Sequence, residues 1–77
     1  MNETVKLVKK AQGGDQEAFV QLIKGYEEVL YNVALRFLYN EADVADVLQE
    51  TILIAYKKIY SLKKPRYFNT WICRILI

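Results

Sequence analysis

The residues with the plainest chemical potential lie in one short stretch, Ser61 to Phe68, written SLKKPRYF. Lys63, Lys64 and Arg66 stand there beside Tyr60, Tyr67 and Phe68, and Arg74 adds a further cation downstream. Cations neutralise phosphates, and aromatic rings stack on unpaired bases. A base turned out of its stack also needs a hydrogen-bonding edge around it. Ser61, Asn69 and the loop backbone can offer one. The competing reading is an ordinary basic surface loop whose aromatics are buried. Phe68 and Trp71 follow that second reading, because they fall on the apolar stripe of the last helix. Lys63, Lys64, Arg66 and Tyr67 follow the first.

A second set lies upstream. Asp46, Gln49 and Glu50 are three and four residues apart, so on a helix they are neighbours on one flank, with Asp43 a turn earlier. Carboxylates so placed can pair with arginines of a partner helix. Val47, Leu53 and Ile54 are expected on the same outer face, where Val47 and Leu53 would supply apolar contact. A solvated acidic face that keeps the domain soluble is the alternative. Aliphatic side chains exposed beside an ordered row of carboxylates favour an interface.

Several chemistries are excluded or given no support. The chain of 77 residues has no histidine and one cysteine, so neither a structural zinc site, a His-based catalytic centre nor an internal disulfide has residues to draw on. Paired acids without a pocket or nucleophile do not argue for an enzyme, and no cofactor is implied. Cys73 reads as a small buried or half-buried side chain. No run approaches the roughly 20 apolar residues of a membrane span. The charged N-terminus, with Glu3, Lys6, Lys9 and Lys10, is not that of a signal peptide. A cytoplasmic protein without membrane contact is the expectation. The net charge of +2 hides a division: residues 1–50 carry five bases and nine acids, residues 51–77 six bases and no acid. An acidic part and a basic part point to two different partners.

Helices must position these groups. Val5, Val8 and Ala11 recur at helical spacing over Glu3 to Gln12, and Gly13-Gly14 ends that segment. Asp15 is a good N-cap for a second helix, with Phe19, Leu22, Ile23, Tyr26, Leu30, Val33, Ala34 and Phe37 as its apolar stripe and an end near Tyr39. Asn40 caps a third, with Asp43 completing a variant capping box. Its core side is expected to be Val44, Ala45, Leu48, Ile52, Ala55, Tyr56 and Ile59. The six tyrosines read mostly as core-edge residues. Ser61 to Tyr67 is a loop, because Pro65 disfavours the α conformation at Lys64. A last helix begins near Phe68 or Asn69. It stops in Ile75-Leu76-Ile77 without cap, glycine or charge, which predicts a fragment of a longer chain. No segment alternates with period two. The expected fold is all-α, a compact bundle of three main helices plus a short N-terminal one.

The stretch NEADVADVLQETILIAYKKI, through Asp43, Asp46, Leu48, Gln49, Glu50 and the Ala55-Tyr56-Lys57 step, resembles the second conserved region of the extracytoplasmic-function (ECF) sigma factors of RNA polymerase. YFNTWICRI is similar to that family's next block, with Phe68, Trp71 and Arg74 in place, and AQGGDQEAFVQLI resembles its first helix and turn. Each motif is weak alone; in order, over nearly the whole chain, they are specific. The resemblance implies that residues 1–77 are one sigma region 2 domain, without the C-terminal region 4 domain. It implies that the acidic helix docks on the coiled coil of the core RNA polymerase clamp, through Asp43, Asp46, Val47, Gln49, Glu50 and Leu53. It implies that Ser61, Lys63, Lys64, Arg66, Tyr67, Asn69 and Arg74 hold the unpaired non-template strand of the minus-ten promoter element, one base flipped into a pocket of the loop. An anti-sigma factor covering these surfaces is a further implied partner. The loop is more cationic than many in the family, which often carry Gly or Asp here. The rival reading is a small helical protein-interaction domain with no role on DNA. A helix-turn-helix duplex binder fits less well, since Thr70 to Ile77 is mostly apolar where a recognition helix is polar and basic.

Overall fold

A computed structural model describes residues 2–77, and among them every regular element is helical. Four α-helices run in order: α1 Glu3–Gln12, α2 Gln16–Leu35, α3 Glu41–Lys58 and α4 Phe68–Leu76. Two single 3₁₀ turns, Ile59–Ser61 and Pro65–Tyr67, break up the loop between α3 and α4.

The helix starts follow from side-chain caps. Asn2 accepts from the Thr4 N–H at 2.7 Å, Asp15 from Ala18 at 3.0 Å, and Asn40 from Ala42 at 2.8 Å. Each satisfies one of the backbone donors a helix leaves unpaired at its first turn. The Gly13-Gly14 break is a complete Schellman turn. Gly14 takes a positive φ of 100°, its N–H bonds Ala11 O, and the Asp15 N–H bonds Lys10 O, both at 3.0 Å. Asp15 thereby closes α1 with its backbone and opens α2 with its carboxylate.

The core gathers Val8 and Ala11 of α1, Phe19, Leu22, Ile23 and Leu30 of α2, Ala55 of α3, then Ile59, Leu62, Phe68 and Ile72. Phe68, the first residue of α4, is fully buried and meets Tyr26 edge-on at 5.1 Å between ring centroids. The loop that precedes it is tied down from α1. The Gln12 side-chain amide donates to Ile59 O at 2.9 Å and to Leu62 O at 2.8 Å. Lys64 is extended (φ −119°, ψ 100°), as its position before Pro65 requires.

Two expectations need correction. Helix α2 ends at Leu35, short of Tyr39. The Arg36 and Phe37 N–H groups bond carbonyls three residues back, which tightens the last turn, and the chain must then extend to present Asn40 as a cap. Phe37 and Tyr39 are left exposed, the latter fully, so neither is a core or core-edge residue. Helix α3 is also rotated, by about half a residue's turn, roughly 50°. Its buried line is Val44, Thr51 and Ala55, continuing to Ile59; Ala45 and Tyr56 are exposed, and Leu48 and Ile52 only half-buried. Thr51 is admitted to the interior because its hydroxyl donates to Val47 O at 2.8 Å, leaving no polar group unpaired.

Candidate nucleic-acid and polymerase interfaces

The acidic residues share the exposed side of α3. Asp43, Asp46, Gln49 and Glu50 are all exposed, and Leu53 stands among them with about half its surface open, 52%. The rotation of α3 turns Val47 partly toward the interior, at the edge of this group. It is half-buried and lines a hollow with Ala34 of α2, with Phe37 and Leu38 after that helix, and with Leu76 and Ile77. Beside the acidic flank runs an open groove of about 610 Å³ between α2 and α3. Glu27, Glu28 and Tyr31 form its α2 wall; Ala45, Leu48, Gln49 and Ile52 form its α3 wall. Gln49 therefore faces both flank and groove. The α2 residues were missed in the sequence because only the carboxylates of α3 were read as a set. Their signal was the exposed pair Glu27-Glu28 one turn before Tyr31.

The basic loop has two distinct sides. Toward α4, Leu62, Tyr67, Thr70, Trp71 and Arg74 line a pocket of about 410 Å³. Toward α1, Lys63, Lys64, Pro65 and Arg66 line a second hollow. Arg66 joins the two: its guanidinium lies over the Tyr67 ring, 4.9 Å from the centroid, and reaches the Tyr67 hydroxyl at 3.2 Å. This stacking holds a planar cation against an aromatic face at the rim of the pocket.

Of the expected DNA-binding set, the structure thus brings Tyr67 and Arg74 together in one hollow and Lys63, Lys64 and Arg66 in the other. Ser61 and Asn69 line neither. The Ser61 hydroxyl donates to Lys58 O at 2.6 Å, and the Asn69 side-chain oxygen accepts weakly from Cys73 Sγ at 3.7 Å. Trp71 is half-buried rather than a core residue. One part of its ring system packs by Phe68, with centroids 5.9 Å apart, while its remaining surface lines the pocket. Thr70 beside it was not anticipated; its place one residue before Trp71 and four before Arg74 is the helical spacing that could have found it.

Residues 22–77 match the sigma-70 region 2 family, and the chain belongs to it. The chain is similar to the ECF RNA polymerase sigma factor SigW of Bacillus subtilis (strain 168), with 36% identity over 70 residues, 91% of this chain and 37% of that protein. It is similar to the ECF RNA polymerase sigma-E factor of Escherichia coli (strain K12), 35% identical over 71 residues, again 37% of the relative. The chain therefore spans little more than a third of these curated relatives. Its fold matches the NMR structure of an engineered region 2 of sigmaE in complex with GTAAAA. The TM-score is 0.86 at 36% identity, covering 99% of this chain and 78% of that one. The all-α bundle and the family resemblance read from the motifs are both borne out.

Proposed function

We propose that residues 1–77 act as the promoter-opening domain of a sigma factor, with no catalytic activity of their own. The domain binds the clamp of core RNA polymerase and captures the unpaired non-template strand of the minus-ten element, while the polymerase performs the chemistry. The observation that carries this is the pocket of Leu62, Tyr67, Thr70, Trp71 and Arg74. It sets two aromatic residues and a cation around a space open to solvent, next to a loop of three further cations. Stacking and charge together select a strand whose bases are already free, since a duplex must first be unpaired at a cost of a few kcal/mol. The related region 2 solved with GTAAAA supports the same assignment. Asp43, Asp46, Gln49, Glu50 and Leu53 would meet the clamp coiled coil, and Val47 would support that face from within. An anti-sigma factor would silence the domain by covering either surface. The place of action is the cytoplasm, where polymerase and promoter DNA meet. Among the described residues no helix is long and apolar enough to cross a membrane.

The polymerase half is tested by Asp46→Arg with Glu50→Arg. Both side chains are exposed, so the double variant should keep its helicity by circular dichroism yet lose capture by core polymerase in a pull-down. Undiminished capture by a folded double variant would remove the clamp assignment and favour an interaction domain for some other partner.

A further inference from the structure

The hollow on the α1 side of the loop draws two of its residues from outside the loop sequence. Val5 and Lys9 of α1 form one wall, and Lys63, Lys64, Pro65 and Arg66 form the other, around about 450 Å³. Val5 and Lys9 are one helical turn apart and so share the face of α1 that packs on the Pro65–Tyr67 turn. Four cations from two separate parts of the chain thus surround one concavity, and no carboxylate is among the residues lining it.

Packing does not require this. All four basic side chains are exposed, and the two residues with buried surface are Val5 and Pro65. Like charges gathered without a counter-charge repel one another, and the repulsion is relieved when an anion enters. The neighbouring lysine, Lys10, lies in a different setting. It lines another hollow, together with Asp15 and Glu17. Helix α1 therefore presents one lysine to acids and one to cations.

We infer that Lys9 completes a phosphate-binding cleft with Lys63, Lys64 and Arg66, and that its ligand is the phosphodiester backbone of the captured DNA strand. This rests on the strand-capture reading above and extends it to a helix outside the loop. The base enters on the α4 side of the loop, at Tyr67 and Trp71. Its backbone crosses Arg66, which lines the α1-side hollow and stacks on Tyr67 of the base pocket, and the next phosphates settle between Lys9 and the two loop lysines. Lys9 reads charge and not sequence, because phosphate contacts position a strand without distinguishing its bases. It holds the strand in a hollow that no residue of α4 lines.

The test is the salt dependence of single-strand binding, by fluorescence anisotropy, with the 77-residue chain and matched and scrambled oligonucleotides. Each phosphate neutralised on a single strand contributes about −0.7 to the log–log slope. Lys9→Gln should make the slope less negative by about 0.7, equally for both sequences, with circular dichroism unchanged. Lys9→Arg should restore it. Lys10→Gln, the same charge change one residue along, should leave it as in the parent. A parental slope for Lys9→Gln, or equal losses for Lys9→Gln and Lys10→Gln, overturns the cleft while the strand-capture reading stands, provided joint neutralisation of Lys63, Lys64 and Arg66 still flattens the slope. Absence of binding to any strand overturns both.

Discussion

Gln12 is the residue through which α1 controls the loop, and its replacement has a calculable effect. Its amide makes two bonds, to Ile59 O and Leu62 O. A net contribution of about 0.5–1.5 kcal/mol for each gives about 1–3 kcal/mol for the pair. Ile59 O has a second partner, the Leu62 N–H at 3.1 Å, so its loss is cushioned. Leu62 is buried, and its carbonyl loses the Gln12 donor outright. Gln12→Ala should therefore cost about 1–2 kcal/mol, toward the lower part of that range. For a chain this small, that lowers the melting temperature by about 4–16 °C, at about 4–8 °C per kcal/mol. Gln12→Glu keeps the length of the side chain but faces two carbonyl oxygens with an acceptor, so at neutral pH it should melt no higher than Gln12→Ala. Thermal melts followed by circular dichroism measure both, and exchange of the Leu62 and Tyr67 amide hydrogens, which bond Ile59 O and Lys64 O, should quicken in both. The loop keeps its cations, so strand binding should weaken without a change in salt slope. A Gln12→Ala melt that coincides with the parent, or a Gln12→Glu melt above that of Gln12→Ala, would refute the hold of the Gln12 amide on the loop.

Gly25 lies inside α2 on the exposed side, and a methyl group there meets nothing within 4 Å; Gly25→Ala should stabilise the domain by about 0.5–1 kcal/mol, read as a higher melting temperature. Leu22→Ala, at a site only 1% exposed, should cost about 2–5 kcal/mol in urea unfolding. Leu48→Ala should cost less, because Leu48 is half-buried, and Leu53→Ala, on the outer face, least of all. A Leu53 variant costlier than the Leu48 variant would contradict the outward placement of Leu53 on α3.

The parts of the fold that sequence revealed are those governed by local chemistry. Asp15, Asn40, Gly14 and Pro65 act within a few residues of themselves, so the starts of α2 and α3, the first break and the loop could be read directly. Periodicity misled where a neighbour decided the outcome. The α2 stripe runs on through Phe37, but the turn into the Asn40 cap takes that residue out of the helix. Thr51 counts as polar in any pattern, yet bonding to its own helix lets it occupy the core line, and the shift turns Val47 inward. Of the site, the acidic flank and the cationic loop were legible as runs of one charge. The two-sided character of the loop was not. It depends on Trp71 being only partly covered by Phe68, and on Lys9 and Lys63 meeting across the fold although they are far apart in the chain.

If the loop and α4 hold unpaired bases, Trp71 must sense their arrival. Trp71 is the chain's only tryptophan and lines the proposed base pocket, so its fluorescence reports on occupancy directly. The decisive measurement is a titration of this fluorescence with a minus-ten element presented as single strand, as duplex and as a scrambled single strand, at one fixed salt concentration. Stacking worth about 1–3 kcal/mol per base corresponds to a preference of about 5- to 150-fold for each captured base. The matched single strand should therefore change the Trp71 emission at the lowest concentration, the scrambled strand should require more, and the duplex most. Equal affinity for all three, with the emission of Trp71 unaltered at saturation, would contradict base capture and leave a basic surface that binds nucleic acid by charge alone.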